Sequence, residues 1–245
     1  MFPPIQPPES TVDVVTRVIS HSIFAGELSV GDRLPPERQL AAELSVNRVT
    51  VRSALDRLTT AGLVSRRQGS GYRVLDFRRT GGPSLLEGVA NVARQRGELA
   101  PVVEDLLSMR RSLARSLMET LAARLDERGL ALIRGAVDDF ADAVERGAPV
   151  RSLLHADMEV LMALLIASSS RVLPLCFNPV REALQGLPEL VEAMYATPHE
   201  NVAAFRLLVE LLTTAPTDLV GHVDALLASR DRKTLQRFVQ ESPPS

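Results

Sequence analysis

Between residues 35 and 75 the hydrophobic period changes from helical to alternating within one short stretch, and few folds accommodate that. Pro35, Pro36 and Glu37 open a helix: proline lacks the amide that a first turn leaves unpaired, and Glu37 suits the positive end. Leu40, Ala41 and Leu44 then recur at helical spacing. Ser45 and Val46 make a tight turn, and Asn47 stands as the cap of a second helix. Val51, Ala54, Leu55 and Leu58 are its buried stripe, and Gly62 stops it. Residues 63–67 and 72–75 read as two short strands around a hairpin tip at Gln68, Gly69, Ser70 and Gly71. Two short helices, a tight turn and a basic glycine-tipped hairpin together predict a winged helix-turn-helix.

Charge points the same way once it is located. The formal net charge is −2, which suggests no nucleic-acid partner. Residues 45–79, however, hold eight arginines against two acids, Asp56 and Asp76. Such asymmetry marks a basic binding surface on one module. The second helix of such a unit reads bases in the major groove from its N-terminal end. Arg48 and Arg52 are four apart and share its exposed face, opposite Val51 and Leu55. Asn47 and Thr50 flank the helix start, where backbone donors also meet phosphate. Arg38 reaches the DNA backbone from the preceding helix, and the wing tip at Gln68 and Gly69 enters the adjacent minor groove. Glu37 and Glu43 are expected outside the groove-facing set. Any one of these arginines reads equally well as a solvated side chain; the arrangement as a whole does not.

Elsewhere the chain is helical. Residues 1–9 are a proline-rich arm, and Val14, Val15, Val18, Ile19 and Ile23 follow a cap at Ser10 or Thr11. Gly26 and Gly31 mark a loop. The charged, glycine-rich run from Arg78 to Pro83 reads as a linker. From there a long helix over 102–125 carries Leu106, Met109, Leu113, Leu117 and Leu121 on one face. Amphipathic stretches follow near 127–146, 150–168, 171–185, 198–214 and 217–240. The expected fold is mostly α: a winged helix-turn-helix over 1–77, a linker over 78–84, and an all-α antiparallel bundle of about seven helices over 85–245. Tryptophan is absent and aromatics make up 4% of the chain, so the core must be aliphatic. The one cysteine, Cys176, excludes an internal disulfide and is expected as a buried small hydrophobe. No apolar run reaches membrane-span length and the start shows no signal-peptide pattern, so the expected location is cytoplasmic.

Residues 26–74, GELSVGDRLPPERQLAAELSVNRVTVRSALDRLTTAGLVSRRQGSGYRV, resemble the GntR family of bacterial regulators. The pattern G-x-L-x-x-G-x-x-L-P-x-E-R-x-L-A is matched, as are V-x-R-x-T-V-R-x-A-L-x-x-L, G-L and G-x-G. The resemblance implies DNA contacts at Arg38, Arg48, Thr50, Arg52, Gln68 and Gly69, with Asn47 replacing the usual Ser or Thr cap. The helical remainder is similar to the FadR subfamily, most of whose members hold a metal through one Asp and three His, beginning D-x-x-x-H. Here Asp157 is followed by Leu161 instead of histidine, and His21, His155, His199 and His222 stand at unrelated spacings with surface or capping roles. No metal and no cofactor are expected. The stretches SLLEGVANVARQ, VVEDLLSMRRSLARSLMETLA and DMEVLMALLIASSSRVLPLCFNPV look like the fatty-acid-responsive, metal-free branch, with Asn178 matching the asparagine of its later L-x-L-N. The usual Ser-Gly-Asn turn is replaced by Ser168, Ser169 and Ser170, and a tryptophan near the acyl-CoA site has no counterpart.

An aliphatic bundle interior binds an acyl chain at about 0.8 kcal/mol per buried methylene. Arg110 or Arg111 offers a charged partner for a carboxylate, thioester or phosphate. Arg110, Asp157 and Asn178 are the candidate effector residues; the competing readings are a bundle salt bridge for Arg110 and helix packing for the other two. The resemblance thus implies a homodimeric repressor or activator on a short palindromic double-stranded operator, controlled by a small effector, an acyl-CoA or another acidic metabolite. An unrelated small carboxylate, or ligand-independent DNA binding, remains the alternative. An enzyme is not expected, because no Ser-His-Asp set, phosphate loop or metal cluster stands in the sequence.

Overall fold

The computed structural model describes residues 10–67, 69 and 71–241. The proline-rich arm over 1–9, Gln68 and Ser70 lie outside the described residues. The chain packs as two compact units that divide between Arg96 and Gly97.

The first unit is built on three helices: α1 (Thr11–Phe24), α2 (Glu37–Glu43) and α3 (Arg48–Thr60). Ser10 caps α1 by accepting the Asp13 amide, and Val15, Ile19 and Ile23 form its buried stripe, while Val18 stays exposed. Leu40 and Ala41 of α2 meet Val51, Ala54, Leu55 and Leu58 of α3, all four of which are fully buried. The turn between α2 and α3 passes through Ser45 at φ 53°, and the Val46 amide reaches back to the Ala41 carbonyl at 3.0 Å. That geometry sets two short helices at an angle with only four residues between their ends.

Strands β1 (Val64–Arg67) and β2 (Gly71–Val74) form the hairpin, in the register Val64 to Val74 and Arg67 to Gly71. The segment read as a loop after Gly31 lends it a third edge: Leu34 donates to the Tyr72 carbonyl and Val74 to the Asp32 carbonyl, at 3.0 and 2.9 Å. Gly62 joins α3 to the hairpin at φ +76°, and a side chain there would run into the Thr80 carbonyl. Left-handed backbone costs an L-residue roughly 1–2 kcal/mol. Gly62→Ala is therefore expected to destabilise this unit by at least about that much, because the clash adds to the strain. Urea unfolding of the variant checks it; a loss under half that size would mean the turn relaxes freely.

The stretch expected as linker is ordered. Asp76 caps a short helix α4 (Phe77–Thr80), and the Thr80 hydroxyl bonds the Gly62 carbonyl at 2.7 Å. A 3₁₀ turn (Pro83–Leu85) then leads into α5 (Leu86–Gln95). Helix α5 packs on α1: Gly88 lies directly against the Phe24 ring, and the Arg96 guanidinium donates to the Ala25 carbonyl at 2.6 Å. By packing, the division therefore falls after Arg96, not at 78–84. Charge and glycines in 78–83 suggested a linker because the contacts that hold α4 come from residues distant in sequence.

The second unit is a helical bundle of α6 (Leu99–Arg124), α7 (Glu127–Glu145), α8 (Val150–Ala167), α9 (Leu173–Gln185), α10 (Pro188–Tyr195), α11 (Pro198–Thr214) and α12 (Leu219–Glu241). Helix α10 is one the periodicity did not disclose, because it is short and each end is marked by a proline, Pro188 and Pro198. Helix α7 lies against α8 and α11, and α6 against α12 and α9. Phe140 of α7 and the half-buried Phe205 of α11 meet edge to face at 5.3 Å, and Phe177, Tyr195 and Phe238 are buried among the aliphatic side chains. The inward stripe of α6 is Val103, Leu106, Leu107, Leu117, Met118 and Leu121; Met109 is exposed. The expected stripe drifted because Arg110 and Ala114, not Met109 and Leu113, take the inward mid-helix positions. Cys176 also departs from expectation. It is exposed, since Phe177 and Val180 turn inward on α9 and carry Cys176 to the other side. Among the described residues, no helix is long and apolar enough to cross a membrane.

Candidate functional site

Helix α3 presents its N-terminal end to solvent. The Asn47 side chain accepts the Thr50 amide at 2.8 Å, the capping bond expected of it. That satisfies one orphan donor and leaves others free for an anion. Arg48 and Arg52 project from the exposed face, with Thr50 half-buried between them. Val49 was not singled out in the sequence, yet it is 74% exposed at the same end.

Beside α3 a concavity of about 720 Å³ opens between the start of α2 and the hairpin. Arg38 and Arg48 line it from one side, and Arg66, Arg67 and Gly69 from the other. The Arg66 guanidinium lies over the Tyr72 ring at 5.9 Å, which fixes its direction. The structure thus brings Arg38, Arg48 and Gly69 round one groove and sets Asn47, Thr50 and Arg52 on the adjoining helix end. Gln68 lies outside the described residues. Arg66 and Arg67 were legible only as part of a basic hairpin.

Glu37 corrects the expectation that it stands apart. It lies in the concavity, and both its oxygens face Arg52: Nη2 donates to Oε2 at 2.8 Å and Nε at 3.3 Å. The hydrogen bond from Arg52, with the nearby charges of Arg48 and Arg66, holds the Glu37 carboxyl below the usual carboxylate range. Periodicity could not reveal this pair, because fifteen residues separate its members.

In the bundle, a cavity of about 110 Å³ is lined by residues of α6, α8, α9, α10, α11 and α12. Leu117, Met118, Leu161, Phe177, Phe205 and Leu227 make most of its wall apolar. Arg110, Asp157, Arg181 and Arg230 bring charge to it. Tyr195 of α10 donates to Asp157 at 2.6 Å. Burial pushes the Asp157 carboxyl up, against the opposing pull of the tyrosine bond and of Arg230 and Arg110. Burial likewise raises the Tyr195 hydroxyl and lowers the Arg230 guanidinium. Arg230 forms no ion pair among the described residues; its neighbour is the Phe205 ring at 5.9 Å.

Of the three candidate effector residues, Arg110 and Asp157 line this cavity and Asn178 does not. Phe177, Val180, Arg181 and Leu184 make the inward stripe of α9, which leaves Asn178 on the flank. Arg110 is also committed: its Nη2 pairs with the buried Asp231, and Arg111 approaches the same carboxylate at 3.5 Å. The salt-bridge reading of Arg110 is therefore realised at the cavity wall. These residues do not fit a metal. Asp157 has Leu161 one turn on and two guanidinium groups nearby, whose positive charges oppose a cation. Among the described residues, no three His, Cys, Asp or Glu side chains come together. His155, His199 and His222 are exposed.

Comparison with known proteins places the first unit. Residues 11–74 match the profile of bacterial regulatory proteins of the gntR family. The HTH-type transcriptional regulator Mce2R of Mycobacterium tuberculosis is 42% identical over 102 residues, 41% of this chain and 41% of that protein. The match thus spans well under half the length of that relative. The fatty acid metabolism regulator protein of Serratia proteamaculans is 29% identical over 195 residues, covering 79% of this chain and 75% of the relative. Among solved structures, Lar of Listeria monocytogenes, which controls the expression of the agr system there, superposes with a TM-score of 0.58 at 15% identity. It covers 96% of this chain and 99% of that one, a likeness of fold. The capped helix and the arginine-lined groove thus lie within residues 11–74, the stretch that matches the gntR family of bacterial regulatory proteins, while the longer match is to a fatty acid metabolism regulator protein.

Proposed function

We propose that this chain is a cytoplasmic transcriptional regulator that binds a short palindromic operator as a homodimer. A small acidic effector in the bundle cavity would change its operator affinity. The observation that carries the DNA reading is the convergence of Arg38, Arg48, Arg66 and Arg67 on one groove beside a capped helix start. Arg38, Arg48, Arg52, Asn47, Thr50, Gly69 and Gln68 are the proposed DNA-contacting residues. The observation that carries the effector reading is Arg230, a guanidinium that forms no ion pair among the described residues at the wall of a largely apolar cavity. A buried charge is costly unless paired, so a ligand carboxylate is a natural counterpart. Effector control then requires unequal binding to DNA-competent and incompetent arrangements.

Two ligand chemistries compete. The fatty acid metabolism regulators among the relatives favour an acyl-CoA. The volume of about 110 Å³ favours a short carboxylate, because a cavity of roughly 150 Å³ holds one benzene. A long chain would need the helices to part. Calorimetry with free acids and acyl-CoAs of about 4 to 18 carbons separates them, since affinity rises with each methylene until the cavity is full. A maximum at short chains, lost in Arg230→Leu, is expected from the cavity as it stands. Affinity still rising at long chains would identify an acyl-CoA site that opens. No binding of either series would remove the effector reading and leave a ligand-independent DNA-binding protein.

A further inference from the structure

We propose that Glu37 is a specificity-positioning residue: it grips the side edge of the Arg52 guanidinium so that the end edge is presented to a guanine. The inference rests on the DNA-binding reading and adds to it the base that Arg52 reads.

A guanidinium has two bidentate edges. The side edge carries the Nε and Nη2 protons, and the end edge carries protons of Nη1 and Nη2. Glu37 occupies the side edge, taking Nη2 at 2.8 Å and Nε at 3.3 Å on one oxygen and Nε at 3.4 Å on the other. Among the described residues nothing else bonds Arg52, so the end edge is free. Its two parallel N–H groups match O6 and N7 of guanine in the major groove.

The placement supports this use. Arg52 follows Arg48 by one turn on the exposed face of α3, and its side chain is 55% exposed. Glu37 is only 15% exposed and opens α2 directly after two prolines, so its backbone is stiff. The fork is thereby held in one direction before DNA arrives, which lowers the ordering cost on binding. Charge argues in the same sense. A paired Arg52 carries little net charge to a phosphate, yet keeps its directional donors. Arg38, Arg66 and Arg67, which lie off the exposed face of α3, form no ion pair among the described residues and are better placed for phosphate. Glu37 also stays ionised, since its neighbours hold its carboxyl low.

The test is selection of duplexes from a randomised pool by the full chain, wild type and Glu37→Ala. Affinities are then measured with 7-deazaguanine, which lacks N7, at each enriched guanine. Wild type should enrich one guanine per half-site whose replacement weakens binding about tenfold. In Glu37→Ala that penalty should fall below about threefold, while affinity for random duplex stays equal or tightens as a negative charge is lost. Arg52→Met removes the donors altogether, and should lose the same penalty even if Glu37→Ala melts early. A full penalty in Glu37→Ala would overturn the proposal. So would tighter binding with guanine preference intact, which would make the pair a latch that DNA must open. If wild type binds duplex without enriching any sequence, the guanine assignment falls and the phosphate-binding face stands. If it binds no duplex, the DNA reading falls with it.

Discussion

Replacing Arg48 and Arg52 together by alanine is expected to lower operator affinity by about 2–6 kcal/mol, since each arginine contact to a base edge is worth about 1–3 kcal/mol. At roughly 1.4 kcal/mol per tenfold, that is a loss of about thirtyfold to more than ten-thousandfold. Both side chains leave the exposed face of α3, whose buried stripe of Val51, Ala54, Leu55 and Leu58 is untouched, so the melting temperature should hardly move. The double variant also strands Glu37, whose carboxylate then faces the groove without its partner. Arg52→Ala alone strands Glu37 too, but there the nearby Arg48 charge still offsets it, so acid against phosphate should make the pair of substitutions cost more than the sum of the single ones. Anisotropy on selected duplex, at fixed salt, measures all three variants. Wild-type affinity in the double variant would mean that α3 is not the reading helix.

Asp231→Ala is expected to destabilise the bundle by about 3–5 kcal/mol, the usual result of removing one partner from a buried ion pair. Asp231 is 8% exposed and serves two guanidinium groups, Arg110 and Arg111. Arg110 already has its Nε without a hydrogen-bond partner, so losing Asp231 leaves its guanidinium with no counter-charge against α12. Charge against a well-packed apolar pair is the informative comparison. Asp231→Leu combined with Arg110→Met should recover most of the loss or exceed wild type, because desolvating two ions often outweighs their attraction. Urea unfolding of the single and paired variants reads both effects. A loss under about 1 kcal/mol in Asp231→Ala would show that water reaches the pair freely. If the paired variant is stable yet no longer binds a carboxylate held by wild type, the Arg110–Asp231 pair also steadies the effector cavity.

The two halves of the molecule differ in how much of them could be read ahead of the structure. In the first unit α1, α2, α3 and both strands were legible, because each is announced locally, whereas α4 was read as linker. Ser10 and Asn47 are caps, Pro35 and Pro36 a start, Gly62 a stop, and Gly69 and Gly71 a tight tip at φ +73° and +76°. Helical spacing then settled which face of α3 is buried and which carries arginine. In the second unit the long helices were legible and their inward faces were less so. Arg110 sits inside, Met109 outside, Cys176 outside and Asn178 on the flank, all against the simplest reading of the pattern.

The reason is the range of the forces involved. Caps, turns and amphipathic stripes act within about one helical turn, so the residue order alone dictates the helix-turn-helix, its wing and its basic face. Which polar groups meet is different. Glu37 reaches Arg52 across fifteen positions, Tyr195 reaches Asp157 across thirty-eight, and Arg110 pairs with Asp231 across one hundred and twenty-one. Only the folded chain brings those partners within hydrogen-bonding distance. A polar residue on an apolar stripe is tolerated there because its counter-charge arrives from another helix.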